Sequence, residues 1–330
     1  MSFVVKDLTL TNMPAIASND SEQLTSSAPG WSSLPPEYAI PSAAPSEAKA
    51  REYCQQLARS HYENFSVATW FLPKRLRQHF CNVYAYCRIS DDLGDEVGDT
   101  SASLQLLDQW ESELNACYDG HPRHPVFVAL AETVRKFEIP KHEFSDLLTA
   151  FRQDQRVTRY ATFTDLLGYC RYSANPVGHL VLYLCGYRDA ERQHLSDSTC
   201  TALQLANFWQ DVSADFAIGR IYLPLEDFSR FNVSEEEIRT GQNTPAFCEM
   251  MRFEVGRARE WFTQGLPLVE KVGRELATDL DLFSRGGQEV LNAIERQGYA
   301  VLGCRPAISR TRKLALVARA ALGKLLGKSQ

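Results

Sequence analysis

Four carboxylates, Asp91, Asp92, Asp95 and Glu96, crowd the stretch CRISDDLGDE, which runs from Cys87 to Glu96. On a helix, acids four residues apart sit about 5–6 Å from one another. At an effective dielectric of about 20, each such pair costs ~3 kcal/mol before screening. A solvated acidic turn could screen that cost, so this stretch alone decides nothing. A second stretch, QLANFWQDVSADFAIGRIYLP from Gln204 to Pro224, carries Asp211 and Asp215 at the same spacing. As a helix it puts Gln204, Asn207, Asp211 and Asp215 on one stripe and Leu205, Trp209, Val212 and Phe216 on another. In the first stretch Phe80, Tyr84, Arg88, Asp91 and Asp95 line up likewise. Two Asp-x-x-x-Asp pairs flanked by apolar residues imply buried carboxylates, which are costly unless paired or bound to metal. Mg²⁺ takes oxygen ligands, usually one or two carboxylates completed by water and substrate phosphates. Two facing pairs could therefore grip a diphosphate through Mg²⁺ and neutralise it as a leaving group. Arg88 and Arg220, the latter with Tyr222 close behind, supply guanidinium forks suited to phosphate oxygens. For Arg88 an intrahelical ion pair with Asp91 or Asp92 is the simpler role, and it does not exclude the other.

The elements that position these residues read as helical. The chain has 330 residues, 44% hydrophobic, enough for a sizeable core. Residues 1–45 are rich in Ser, Ala and Pro without periodicity, and are expected to be a flexible leader. From Ser46 onward helical periodicity predicts segments at about 46–60, 74–97, 102–118, 125–137, 141–152, 163–185, 197–217, 245–271 and 273–297. Pro176 should break the sixth of these. Many helices with short connections predict a single all-α domain over 46–305. Residues 306–330 differ, with seven Arg or Lys after Cys304, no acid, and apolar residues such as Leu314, Val317, Ala321 and Leu325 at helical spacing. Such a basic amphipathic helix suits peripheral contact with an anionic membrane, or docking on its own domain.

The net charge of −6 gives no sign of nucleic-acid binding, and no run of eighteen apolar residues is long enough to span a bilayer. The N-terminus lacks the pattern of a secretory signal. Nine cysteines occur with no CxxC pair, which favours reduced thiols in the cytoplasm.

The stretches YAYCRISDDLGDE and NFWQDVSADFAIGRIYLP resemble the two aspartate-rich motifs of the squalene/phytoene synthase family, and the likeness covers about residues 50–305. The resemblance implies an all-α isoprenoid synthase fold, a central cavity between the two Asp helices, and Mg²⁺-dependent ionisation of prenyl diphosphates. By position it implies Asp91, Asp95, Asp211 and Asp215 as Mg²⁺ ligands. Tyr84, Arg88, Gln204, Asn207 and Arg220 would line the diphosphate site, with Arg296 of IERQGY at a further C-terminal position. Phe65, Phe71, Phe80, Tyr84, Tyr172 and Phe208 are candidates for a cavity wall that stabilises a carbocation through ring quadrupoles; ordinary core packing is the alternative for each.

Departures from the family pattern bear on the reaction. The common AGTVG patch reads Ala174-Asn175-Pro176-Val177-Gly178, Gln210 stands where Arg is frequent, and SRGGQEVLNAI lacks a usual Tyr. These features are most similar to the HpnC-type hydroxysqualene synthase branch of bacterial hopanoid biosynthesis. That branch ionises presqualene diphosphate and lets water capture the cation, without reductant. Asn175, beside the helix break, is the candidate holder of that water. No GxGxxG follows a strand, and NADPH is not expected. Alternatives are a presqualene diphosphate, squalene or phytoene synthase joining two prenyl diphosphates head to head, and a catalytically inactive assembly factor of the same fold. A chain-elongating prenyltransferase fits the second motif less well. A terpene cyclase would need Ser or Thr at position 211 and Glu at 215, where this chain has Asp211 and Asp215.

Overall fold

The computed structural model describes residues 34–60 and 73–326. Among them the architecture is all-α, and the sole strand-like feature is an isolated bridge between Arg159 and Ile221. Phe65 and Phe71 lie outside the described residues.

The first layer comprises α1 (Glu47–Ser60), α2 (Arg77–Asp95), α3 (Thr100–Asp119) and α4 (Pro125–Phe137). Their starts follow local chemistry: Asp99 caps α3 through the Ala102 amide, and Pro125 occupies the first turn of α4, where its missing N–H is no loss. Tyr86, Trp110 and Phe127 are fully buried at the centre of this layer. Helix α5 (His142–Asp154) leads from it to α6 (Phe163–Ser173) and α7 (Asn175–Leu184). As Pro176 predicts, the expected 163–185 helix is broken at Ala174.

The second layer is built on α8 (Ala190–Gln210), continued by α9 (Val212–Ala217), with α12 (Pro245–Gly265) and α13 (Arg274–Arg296) packed along α8. Two short helices, α10 (Leu225–Phe231) and α11 (Glu235–Arg239), lie between, in a region where no helix was expected. Trp209, Phe247 and Phe262 fill this core. The close approach of the helices depends on small residues. A Cβ on Gly287 of α13 would fall 2.4 Å from the Phe262 ring and 2.7 Å from Leu203. The last helix, α14 (Arg310–Leu326), packs on α13.

Two expectations change. The predicted 197–217 helix is not continuous but is interrupted at Asp211, whose φ of −103° and ψ of 13° leave the helical region. Residues 34–38 are not a free leader: Pro36–Tyr38 form a helical turn, and Leu34 and Tyr38 pack on the first core. Residues 1–33 lie outside the described residues.

Candidate active site

The C-terminal end of α2 and the α8–α9 junction face one another across a cavity that encloses about 800 Å³ of empty space, part of it open to solvent. Asp91 and Asp95 enter from α2, Gln204, Asn207 and Phe208 from α8, and Asp215, Arg220 and Tyr222 from α9 and the loop after it. The two motifs touch directly: Arg220 Nη2 lies 3.1 Å from Asp95 Oδ1.

The rest of the lining is apolar, with Leu147, Ala150 and Phe151 of α5 and Val177 of α7. Aromatic rings complete the lining. Phe208 stacks on Tyr222 with ring centroids 3.8 Å apart and planes within 10°, and Tyr169 stacks beside Tyr222 at 5.8 Å. Of the candidate wall residues, only Phe208 among those described takes that role. Phe80 is packed in the first core, and Tyr172 lies half-buried against the second, its ring beside the Arg171 guanidinium.

The electrostatics are lopsided. Burial, reinforced by Asp211, raises Asp215 to about 8, and its Oδ2 is buried without a hydrogen-bond partner. Burial likewise raises Asp95, opposed by Arg220. Asp154, at the end of α5, has no counterpart among the motif residues yet lines the same cavity. Tyr169 donates to its Oδ2 at 2.9 Å, its Oδ1 has no partner, and burial raises it to about 7 despite Arg220. Two carboxylate oxygens of the lining residues, Asp154 Oδ1 and Asp215 Oδ2, are thus left without a hydrogen-bond partner.

Other expected residues sit differently. Arg88 is not on the cavity wall; it pairs with Asp92 through Nη2 and lies 3.4 Å from Asp91 through Nη1. Tyr84 is buried beside it, within the fields of Arg88, Asp91 and Asp92. Asp211 is turned from the cavity into a two-pronged pair with Arg305, whose Nη2 lies 3.0 Å from Oδ2 and also donates to Gln210 Oε1 at 2.9 Å. Asn175 is not on the wall either: its carbonyl accepts from the Thr201 hydroxyl at 3.1 Å, and Ser173 and Val177 stand on the cavity side of the break. Arg296 is not brought to the site. It lies 3.6 Å from Glu289 on α13, and Arg305, nine residues on, is the C-terminal guanidinium at the motif.

Among the described residues no three His, Cys, Asp or Glu side chains form a ready-made metal cage. The donor set still fits Mg²⁺, which needs few carboxylates when water and phosphate complete its shell. The ligands on offer are oxygens, and the partnerless Asp154 Oδ1 and Asp215 Oδ2 are the atoms that such a cation would satisfy.

An all-helical chamber whose lining combines carboxylates and an arginine with aromatic and apolar side chains defines a site for an amphipathic anion. The chain belongs to the squalene/phytoene synthase family, whose sequence model matches residues 58–312. It is 32% identical over 280 residues to a phytoene synthase of Arthrospira platensis, covering 80% of this chain and 89% of the relative. Similarity to a 15-cis-phytoene synthase of Synechocystis is 31% over 292 residues, covering 83% and 86%. Among solved structures, squalene synthase HpnC from Alicyclobacillus acidocaldarius superposes with a TM-score of 0.74 at 46% identity, over 77% of this chain and 95% of that one. A dehydrosqualene synthase in complex with ligand gives a TM-score of 0.76 at 28% identity, over 86% and 98%.

Proposed function

We propose that the protein ionises presqualene diphosphate and captures the resulting cation with water, giving hydroxysqualene and inorganic diphosphate. The observation that carries this reading is the chamber itself: opposed acidic helix ends, joined by Arg220 and Asp95, open onto a stacked aromatic and apolar wall. Its likeness to the HpnC squalene synthase, at 46% identity, supports this branch.

Asp91, Asp95 and Asp215, with Asp211 now paired to Arg305, would hold Mg²⁺. When bound, the metal neutralises the diphosphate oxygens and so favours the leaving group. Arg220 supplies directional donors for the same oxygens, Gln204 and Asn207 line the space between, Arg305 holds Asp211, and Arg88 stands one layer behind Asp91. The carbon–oxygen bond breaks with both electrons going to diphosphate. Phe208, Tyr222 and Tyr169, stacked on one another, line the space for the carbon skeleton, and a ring in contact with a cation contributes about 0.5–2 kcal/mol. The cyclopropane opens, water oxygen bonds to the cationic carbon, and the surplus proton leaves to diphosphate. No reductant enters this balance.

The names of the sequence relatives favour a second reading, in which two prenyl diphosphates are joined head to head. The catalytic domain spans about 46–305. Helix α14 would bring it to an anionic lipid surface, with Leu314 half exposed among the basic residues. No described helix is long and apolar enough to cross a membrane.

The test is a product assay with Mg²⁺ and no NADPH, offering presqualene diphosphate and farnesyl diphosphate separately. A C30 alcohol from presqualene diphosphate supports the reading. Conversion of farnesyl diphosphate to presqualene diphosphate moves the protein to the condensing reaction, and turnover of neither by folded protein points to a non-catalytic role.

A further inference from the structure

Asp92 is 2% exposed, and a carboxylate so buried is costly unless both oxygens are satisfied. Arg88 Nη2 pairs with Oδ1. The other oxygen is served from outside the helical domain: the Tyr38 hydroxyl donates to Asp92 Oδ2 at 2.7 Å. Tyr38 is held there by its own segment, in which Pro35 and Pro36 set the turn and Leu34 and Tyr38 pack on the first core.

The consequence falls on Arg88. Asp92 engages one terminal nitrogen, Asp91 lies 3.4 Å from the other, and Nε is buried without a hydrogen-bond partner. Two acids thus engage only part of the five N–H donors of the guanidinium, and one of those acids, Asp91, lines the cavity. We infer that Tyr38 is a positioning residue for Arg88: by fixing Asp92 it holds the guanidinium in register with Asp91 for an incoming diphosphate, and residues 34–38 form an outer strap of the active site. This rests on the diphosphate reading above. It adds a determinant carried on the segment before the first helix, reached through Asp92, the member of the Asp91-Asp92 pair that does not face the cavity.

The test uses the full chain, with inorganic diphosphate and Mg²⁺ as the probe in calorimetry and steady-state kinetics in parallel. Tyr38→Phe removes one hydroxyl and keeps the packing. The expected result is a weakening of diphosphate binding by about three- to tenfold, less than the whole of a hydrogen bond to a charged group because Tyr38 acts through Asp92 and Arg88, with a parallel rise in KM. Asp92→Asn should do the same, and Tyr38→Phe in that background should add nothing. Unchanged diphosphate affinity in Tyr38→Phe, effects that multiply in the double variant, or a loss confined to kcat that tracks a lower melting temperature would each overturn the inference. Arg88→Ala separates the two levels. If it weakens diphosphate binding while Tyr38→Phe does not, only the strap is wrong. If Arg88→Ala has no effect, or the unaltered protein does not bind diphosphate, the diphosphate reading fails as well.

Discussion

Replacing His179 with Gln should remove a pH-dependent part of the stability. His179 on α7 lies between two acids from different helices: Nδ1 is 2.9 Å from Glu143 Oε2 on α5, and Nε2 is 2.7 Å from Asp197 Oδ1 on α8. His142 lies 3.4 Å from the same Glu143, and Asp146 adds a further nearby negative charge. Burial disfavours the imidazolium, but the two carboxylates outweigh it and lift the group from 6.5 to about 9. At ~1.4 kcal/mol per unit, that lift corresponds to about 3 kcal/mol, and solvent screening lowers it to about 2 kcal/mol. A folded-state pKa raised above the unfolded one means that the contribution is complete below about pH 6.5 and fades as pH rises through about 9. The assay is denaturant unfolding of both proteins between about pH 6 and pH 10, a range in which ordinary carboxylates stay ionised. The stability gap between them should narrow by about 2 kcal/mol over that range. A gap that is flat, or that widens with pH, would refute the ion-pair account of this junction.

Three further outcomes follow from the geometry. Gly265→Ala should cost about 1–3 kcal/mol in thermal unfolding, because its Cβ would lie 2.9 Å from the Thr199 backbone nitrogen, which cannot step aside. Gly256→Ala, on the same helix with nothing within 4 Å of the new methyl, should instead stabilise by about 0.4–1 kcal/mol. Arg220→Ala, which removes the guanidinium that lines the cavity, should weaken inorganic diphosphate binding at least tenfold, on the scale of ~1.5–3 kcal/mol for a charged hydrogen bond, while Arg296→Ala should leave it within about twofold, as calorimetry would show. Chelation should abolish turnover, and added Mg²⁺ should restore it; activity that survives exhaustive chelation would remove the metal from the reading.

Local pattern made the helices legible, and with them the stripe that carries Gln204, Asn207 and Asp215 to the cavity, though not Asp211. The break at Pro176 was equally legible, because proline acts within one turn. What escaped depends on distant partners. Asp154 stands outside both acidic motifs, at the end of α5, and it becomes a site residue through Tyr169, fifteen positions on, and through Arg220. Arg296 and Arg305 look interchangeable in sequence. Helix α13 ends at Arg296 with its side chain toward Glu289, and a loop with positive φ at Gly298, Tyr299 and Gly303 returns the chain so that Arg305 meets Asp211. The short helices α10 and α11 span 7 and 5 residues, too few for periodicity to register.

The placement of the acidic motifs gives a separate argument for cations. Asp91, Asp92 and Asp95 occupy the last turns of α2, where no basic residue offsets them, and Asp211 is the C-cap of α8. Unpaired carbonyls make a helix C-terminus negative, so acids there are unfavourable by roughly 0.3–1 kcal/mol each. A surface helix relieves that cost with Lys or Arg in its last turn. Here the relief comes from Arg88 one turn back and from Arg220 and Arg305, which arrive from other elements, and it is incomplete: Asp215 and Asp154 keep raised proton affinities and partnerless oxygens. Two helices that each end against local preference, and end facing one another, concentrate negative potential at one spot. An anionic diphosphate would be repelled from that spot unless divalent cations came with it. The charge imbalance that makes these acids costly on their own is therefore what would make metal and diphosphate binding interdependent, with neither expected to bind tightly alone.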